Sequence, residues 1–219
     1  MCGRYALFAK EQEIAKRFGV MIEPGILKAR FNAAPSQVLP VILSDEPNTV
    51  MWMKWGMVPV WWSQKSRSLI NITAENLQEK KTFRSLLARQ RCLVLANGFY
   101  EWKQVNGAKQ PYFISLLQEE LYAFAGLWSK PTVQEAESAF AIITTAPNEL
   151  VSTIHDRMPC ILSPEDEKRW LNVAEPTSEV LKLLRPFPAA EMKAVPVSRR
   201  INVPVNDDPS LIEAIKPTP

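Results

Sequence analysis

Cys2 stands one residue from the start of the chain, and what it can do depends on that position. Once Met1 is trimmed, Cys2 offers a free α-amine and a thiol on adjacent carbons, a pair that no internal cysteine provides. The amine condenses with an aldehyde to a Schiff base, and the thiol then closes on the same carbon as a five-membered thiazolidine. Both groups titrate near neutrality, at roughly 7.7–8.0 for an α-amine and about 8.5 for a thiol. The second nucleophile is built into the same residue as the first. Ring closure is therefore effectively unimolecular, where proximity effects are largest. The plain alternative is a second codon in a loose tail, as chain ends often are.

Other residues offer proton transfer and orientation. His155, the only histidine, lies in Ile154-His155-Asp156-Arg157-Met158-Pro159. Imidazole suits proton traffic near neutral pH, and Asp156 and Arg157 put opposite charges in the same loop. A structural histidine at a turn is the other reading. Glu101 lies in Gly98-Phe99-Tyr100-Glu101-Trp102-Lys103. On a strand, Phe99, Glu101 and Lys103 share one face and Tyr100 and Trp102 the other. A carboxylate packed among aromatics is partly desolvated, which favours its neutral, proton-donating form. Such an acid could open a sugar hemiacetal or protonate a carbinolamine, whereas an edge-strand surface glutamate would do neither. Asn71 follows an apolar pair, and its amide could orient Cys2 or simply close a turn.

Trp61-Trp62 sits in a proline-bounded loop, where adjacent indoles diverge and make poor core formers. An exposed indole is a stacking platform worth roughly 1–3 kcal/mol per nucleobase in single-strand binders. Arg4, Lys65, Arg67 and Arg157 could supply accompanying phosphate contacts. With seven Trp in the chain, a place in the core is the competing reading.

The elements that must position these residues read as one α+β domain spanning residues 1–219. Short strands are expected at Gly3–Phe8, Val38–Leu43, Thr49–Trp55, Cys92–Ala96, Gly98–Lys103, Tyr112–Leu117, Leu121–Leu127, Phe140–Thr145 and Met192–Val197. Helices are expected over Lys10–Phe18, Thr82–Gln90, Ser163–Leu171, Thr177–Leu184 and Pro209–Ile215, with Ser163 and Thr177 as caps. Gly19–Ser36 reads as loop, and Asn106-Gly107 as a turn between strands. Strands outnumber helices in irregular order, which predicts a mainly antiparallel, curved, barrel-like sheet with peripheral short helices.

Composition narrows the class. An apolar share of 47% and 219 residues allow a substantial core. No run is long enough to span a membrane, and the first ten residues lack a secretory pattern. The three cysteines, Cys2, Cys92 and Cys160, show neither metal-ligand spacing nor a disulfide framework. A cytoplasmic monomer without metal or cofactor is the expectation. A formal charge of +3 permits a nucleic-acid partner only if the positive residues cluster.

Taken in order, the segments resemble the SOS response-associated peptidase (SRAP) family. They are Met1-Cys2-Gly3-Arg4-Tyr5, Phe31-Asn32-Ala33-Ala34-Pro35-Ser36, Trp55-Gly56-Met57-Val58-Pro59, Ile70-Asn71, Phe99-Tyr100-Glu101-Trp102 and Ile154-His155-Asp156-Arg157-Met158-Pro159. Pro196-Val197-Ser198, Asn202 and Asp207 complete the pattern. The resemblance implies a sensor of abasic sites in single-stranded DNA, linked covalently through Cys2 and associated with the nucleoid on damage. Cys2 would be the nucleophile, Asn71 would position it, Glu101 would be the acid/base, and His155 would stabilise the intermediate or move its protons. Arg4, Asn32, Pro35, Trp61, Trp62 and Arg157 would lie near DNA. Where the family commonly reads Asn-Ala-Arg-x-Glu, this chain has Asn71-Ile72-Thr73-Ala74-Glu75, and Asn76 replaces a usual threonine. Thr73 thus removes a guanidinium expected to help hold DNA. Two rival functions use the same residues: a thiol peptidase, acting on other chains or on its own Met1, and a non-covalent single-stranded DNA binder.

Overall fold

A computed structural model describes residues 2–58, 68–79, 81–118, 121–131 and 137–215. The chain opens with β1 (Tyr5–Leu7), α1 (Glu11–Phe18) and β2 (Arg30–Ala33). The hairpin β3 (Val38–Leu43) and β4 (Val50–Trp55) follows, then β5 (Asn71–Thr73), α2 (Ala74–Glu79) and α3 (Lys81–Arg89). The central strands are β6 (Arg91–Ala96), β7 (Gly98–Val105), β8 (Ala108–Leu116), β9 (Tyr122–Ser129) and β10 (Ala139–Thr145). The rest comprises α4 (Glu149–Ser152), β11 (Met158–Pro159), β12 (Ile161–Leu162), α5 (Pro164–Leu171), α6 (Thr177–Lys182) and β13 (Met192–Pro196).

Among the described residues the strands form two sheets. In one, β4, β3, β6, β9 and β10 each pair with the next, and β10 returns to β4, so the ring closes. Closure removes the free edges that an open sheet would expose. Strand β10 also carries β5 and β11, while β9 carries β12. The second sheet runs β13-β8-β7-β1-β2 and is antiparallel throughout. The α+β class and the barrel-like sheet expected from the sequence are both present. Two pairings, β10 with β4 and with β5, are parallel.

The apolar residues of β6, β9 and β10 are buried along their whole lengths, as strands covered on both faces require. On β7 the alternation holds: Phe99 belongs to the main core, whereas Tyr100 and Trp102 pack with Ala6, Phe113, Val197 and Ile201 in a second cluster. Gly98 has no room for a side chain, since a Cβ there would stand 2.2 Å from the Phe113 ring. The β7–β8 hairpin turns at Asn106 and Gly107, both with positive φ (48° and 79°), the signature of its Asn-Gly pair.

Several boundaries differ from expectation. The stretch 19–36 is not all loop, because Arg30–Ala33 forms β2 against β1. Its pairing partner lies far upstream, and no local alternation announces it. Helix α2 precedes α3 where only one helix was expected. Thr177 is the first helical residue of α6 rather than its cap, since Pro176 takes the extended capping conformation. Pro209–Ile212 is a 3-10 turn held by the Asp208 side chain. Helix α5 does begin as predicted, with the Ser163 side chain accepting from the Asp166 N–H and Pro164 at its first position.

Candidate active site

The two sheets meet at the beginning of the chain. Cys2 precedes β1 in the second sheet, and Asn71 begins β5 on the barrel. The Asn71 Nδ2 donates to the Cys2 carbonyl at 2.8 Å across this seam. Cys2 is fully buried, and its Sγ stands 3.8 Å from the Arg4 carbonyl. Asn71 Oδ1 is buried with no hydrogen-bond partner among the described residues, leaving an acceptor beside the cysteine.

Glu101 enters from β7, two residues past Phe99, and is only 2% exposed. Burial pushes its carboxyl up to about 7. The carboxyl thus changes charge near neutrality and can both give and take a proton. The His155 Nε2 lies 3.7 Å from Glu101 Oε2, within range of charge interaction but too far for a direct hydrogen bond. On the opposite nitrogen, Nδ1 accepts the Arg157 backbone N–H at 3.0 Å and stands 2.9 Å from Asp156 Oδ1. Burial holds the imidazole below its usual value, opposed by Asp156.

The Cys2 thiol is pushed up, first by burial and then by the Glu101 charge. At neutral pH it is protonated and must lose its proton to a neighbour in order to attack. The walls are aromatic. Tyr5 and Tyr122 both set their rings edge-on to Phe124, with centroids 6.0 and 5.7 Å away. Their buried hydroxyls have no hydrogen-bond partner among the described residues.

Cys2, Asn71, Glu101 and His155, scattered over 154 positions of sequence, therefore share one site. The remaining candidates sit around it. Half-buried Arg4 spends its Nη1 on Asn32 Oδ1 at 2.8 Å and on the Ile201 carbonyl at 2.7 Å. Asn32 is buried, and its Nδ2 holds the carbonyls of Ile201, Val203 and Asn206, so its side chain builds the frame behind Arg4. Pro35 lies in the turn leading to β3, next to Ser36 at φ 72°. Arg157 is paired with Glu75 and with the Thr144 carbonyl. Trp61, Trp62, Lys65 and Arg67 lie outside the described residues.

Sequence reasoning gave Glu75 and Asp207 no role. Asp207 accepts from the backbone N–H groups of Phe31 (2.5 Å) and Asn32 (2.9 Å) and pairs with Arg30, pinning β2 under Arg4. Thr73, at the position where the resemblance led an arginine to be expected, hydrogen-bonds within its own helix. Its Oγ1 accepts the Asn76 N–H at 3.4 Å and caps α2.

The family model described as SOS response associated peptidase (SRAP) matches residues 1–204 of this sequence. The chain belongs to the SRAP family. This SRAP chain is 40% identical over 223 residues to abasic site processing protein YoqW of Bacillus subtilis, covering 98% of this chain and 100% of that one. It is 33% identical to abasic site processing protein HMCES of Gallus gallus, over 89% of this chain and 69% of the relative. It is 30% identical to abasic site processing protein YedK of Escherichia coli, over 98% and 100%. Among solved structures, a protein from Bacteroides thetaiotaomicron superposes with a TM-score of 0.84 at 28% identity, covering 98% of this SRAP chain and 100% of the other.

Proposed function

We propose that this chain recognises abasic sites in single-stranded DNA as a single-domain monomer and joins them covalently through Cys2 once Met1 is removed. The reading rests on one observation above others: Asn71 grips the Cys2 backbone at 2.8 Å beside the buried Glu101. The relatives' shared name, abasic site processing protein, supports an abasic deoxyribose as the aldehyde.

The steps follow from the groups present. The α-amine of Cys2 attacks C1′ of the ring-opened sugar, giving a carbinolamine. Neutral Glu101 protonates the hydroxyl, which leaves as water, and an iminium remains opposite the Glu101 carboxylate. The thiol sulfur attacks C1′, the iminium electron pair returns to nitrogen, and the thiol proton passes to Glu101. Glu101 is restored, and the net change is an aldehyde and an aminothiol becoming a thiazolidine plus one water. His155 adjusts the charge felt by Glu101 during this cycle. Arg4, Asn32, Pro35 and Arg157, with Trp61 and Trp62, are the proposed DNA contacts. A peptidase reading draws less support, since His155 addresses Glu101 and Asp156 whereas the thiol faces the Arg4 carbonyl.

Ring closure removes the open imine, which acidifies the neighbouring carbon and invites loss of the 3′ phosphate. Cys2→Ala should therefore retain an imine that borohydride traps on an abasic oligonucleotide, show some strand cleavage, and lose the heat-stable adduct. A heat-stable adduct at wild-type level from Cys2→Ala would remove the thiol from the mechanism.

A further inference from the structure

The segment carrying Asn71 and the segment carrying His155 are tied by one ion pair. Glu75 lies two residues past β5, in the first turn of α2. Both of its carboxylate oxygens accept from Arg157, at 3.0 Å from Nη1 and 2.9 Å from Nη2. Arg157 Nη2 also donates to the Thr144 carbonyl at 2.7 Å, on β10, the strand on which β5 is paired. The two-pronged geometry of guanidinium on carboxylate fixes orientation as well as distance. It fixes the backbone of Arg157, and that backbone N–H is the donor to His155 Nδ1 at 3.0 Å.

Occupation of Nδ1 by a donor places the proton of neutral imidazole on Nε2, the nitrogen that faces Glu101. Asp156 Oδ1, 2.9 Å from the same Nδ1, competes for the opposite state, a protonated ring donating to the carboxylate. The position of Arg157 decides between them. We propose that Glu75 is a positioning residue, which through Arg157 holds His155 neutral, with its Nε2 proton directed at Glu101. Glu75 also satisfies both terminal nitrogens of Arg157, so this arginine acts first as a strut beneath the site. The inference rests on the function proposed above for its kinetic consequence, but not for its structural one.

His155 is faced by Glu101 from β7, Lys109 from β8, and Asp156 and Arg157 from its own loop. Of these, Asp156 and the Arg157 N–H are the two that bear on Nδ1. Loss of the strut leaves Asp156 as the stronger influence, and the imidazole should take up a proton more readily. Arg157 holds the Glu75 carboxyl below its ordinary value, so the strut is intact at neutral pH and fails only in acid.

The test uses Glu75→Gln, with Glu75→Asp as the conservative variant, in the full chain. Because the chain has one histidine, its imidazole proton resonances are unambiguous in an NMR titration. Glu75→Gln should raise the imidazole midpoint by about half a unit or more, the size expected when one charged neighbour gains influence. Its adduct formation at saturating abasic oligonucleotide should fall about 10- to 100-fold, the scale of a misplaced catalytic group. Binding to an undamaged oligonucleotide should hold or tighten as Arg157 is released, and Glu75→Asp should restore part of the rate. An unmoved imidazole midpoint in a folded Glu75→Gln protein would overturn the proposal, whatever the rate. So would a rate loss explained wholly by weaker oligonucleotide binding. If wild-type protein formed no adduct at all, the proposed function would fail while the imidazole titration still judged the strut.

Discussion

Glu101→Gln should make the protein more stable in mild alkali while disabling it. Burial raises the carboxyl from 4.5 to about 7. The folded state therefore binds this proton more tightly than the unfolded chain does. Stability falls as pH rises from the unfolded value through the folded one, and is level above it. At about 1.36 kcal/mol per pKa unit, the shift corresponds to roughly 3 kcal/mol of stability lost on ionisation. Glutamine has the same shape and no charge to desolvate, so it avoids that loss. Urea unfolding of both proteins at pH 5 and pH 8, under reducing conditions, isolates this contribution because other titrating groups cancel. The wild type should lose about 2–3 kcal/mol more across this interval than Glu101→Gln does. Adduct formation by the variant should meanwhile drop by about 10²-fold or more, the usual worth of a positioned acid. Parallel pH dependence in the two proteins would refute the claim that the fold holds this carboxylate against its preference for water.

Two further substitutions probe the frame. Asn71→Ala removes the 2.8 Å bond to the Cys2 carbonyl. It should slow adduct formation about 10- to 100-fold, seen by gel shift over time, at a stability cost of about 1 kcal/mol by urea unfolding. Arg4→Gln breaks the bonds to Asn32 and Ile201 and should cost about 1–3 kcal/mol in the same unfolding assay. As a proposed phosphate contact, Arg4 should also account for about one unit of the slope of log affinity against log salt for single-stranded DNA.

The four residues of the proposed site could be singled out because each sits inside a short segment of distinctive composition, and the resemblance supplied their company. Glu101 was readable as a strand residue, but sequence left a packed and a surface position both open, and the structure buries it. What sequence could not reveal was pairing across long separations. Strand β2 exists because Asp207, 175 positions away, receives the N–H of Asn32. Arg157 appears in sequence as a loose cation available to phosphate, yet Glu75, 82 positions away, takes both its terminal nitrogens. Thr73 registers only as a lost arginine until its hydroxyl is seen against the Asn76 N–H.

The central claim is that both nucleophiles of Cys2 are consumed by one sugar carbonyl. Mass spectrometry of the mature protein, alone and after mixing with a single-stranded oligonucleotide carrying one abasic site, tests it directly. The account predicts a chain lacking Met1 and an adduct weighing protein plus oligonucleotide less one water. After denaturation, that adduct should present two alkylatable thiols instead of the three the sequence encodes. A mature chain that keeps Met1, or an adduct that still presents three free thiols, would contradict it.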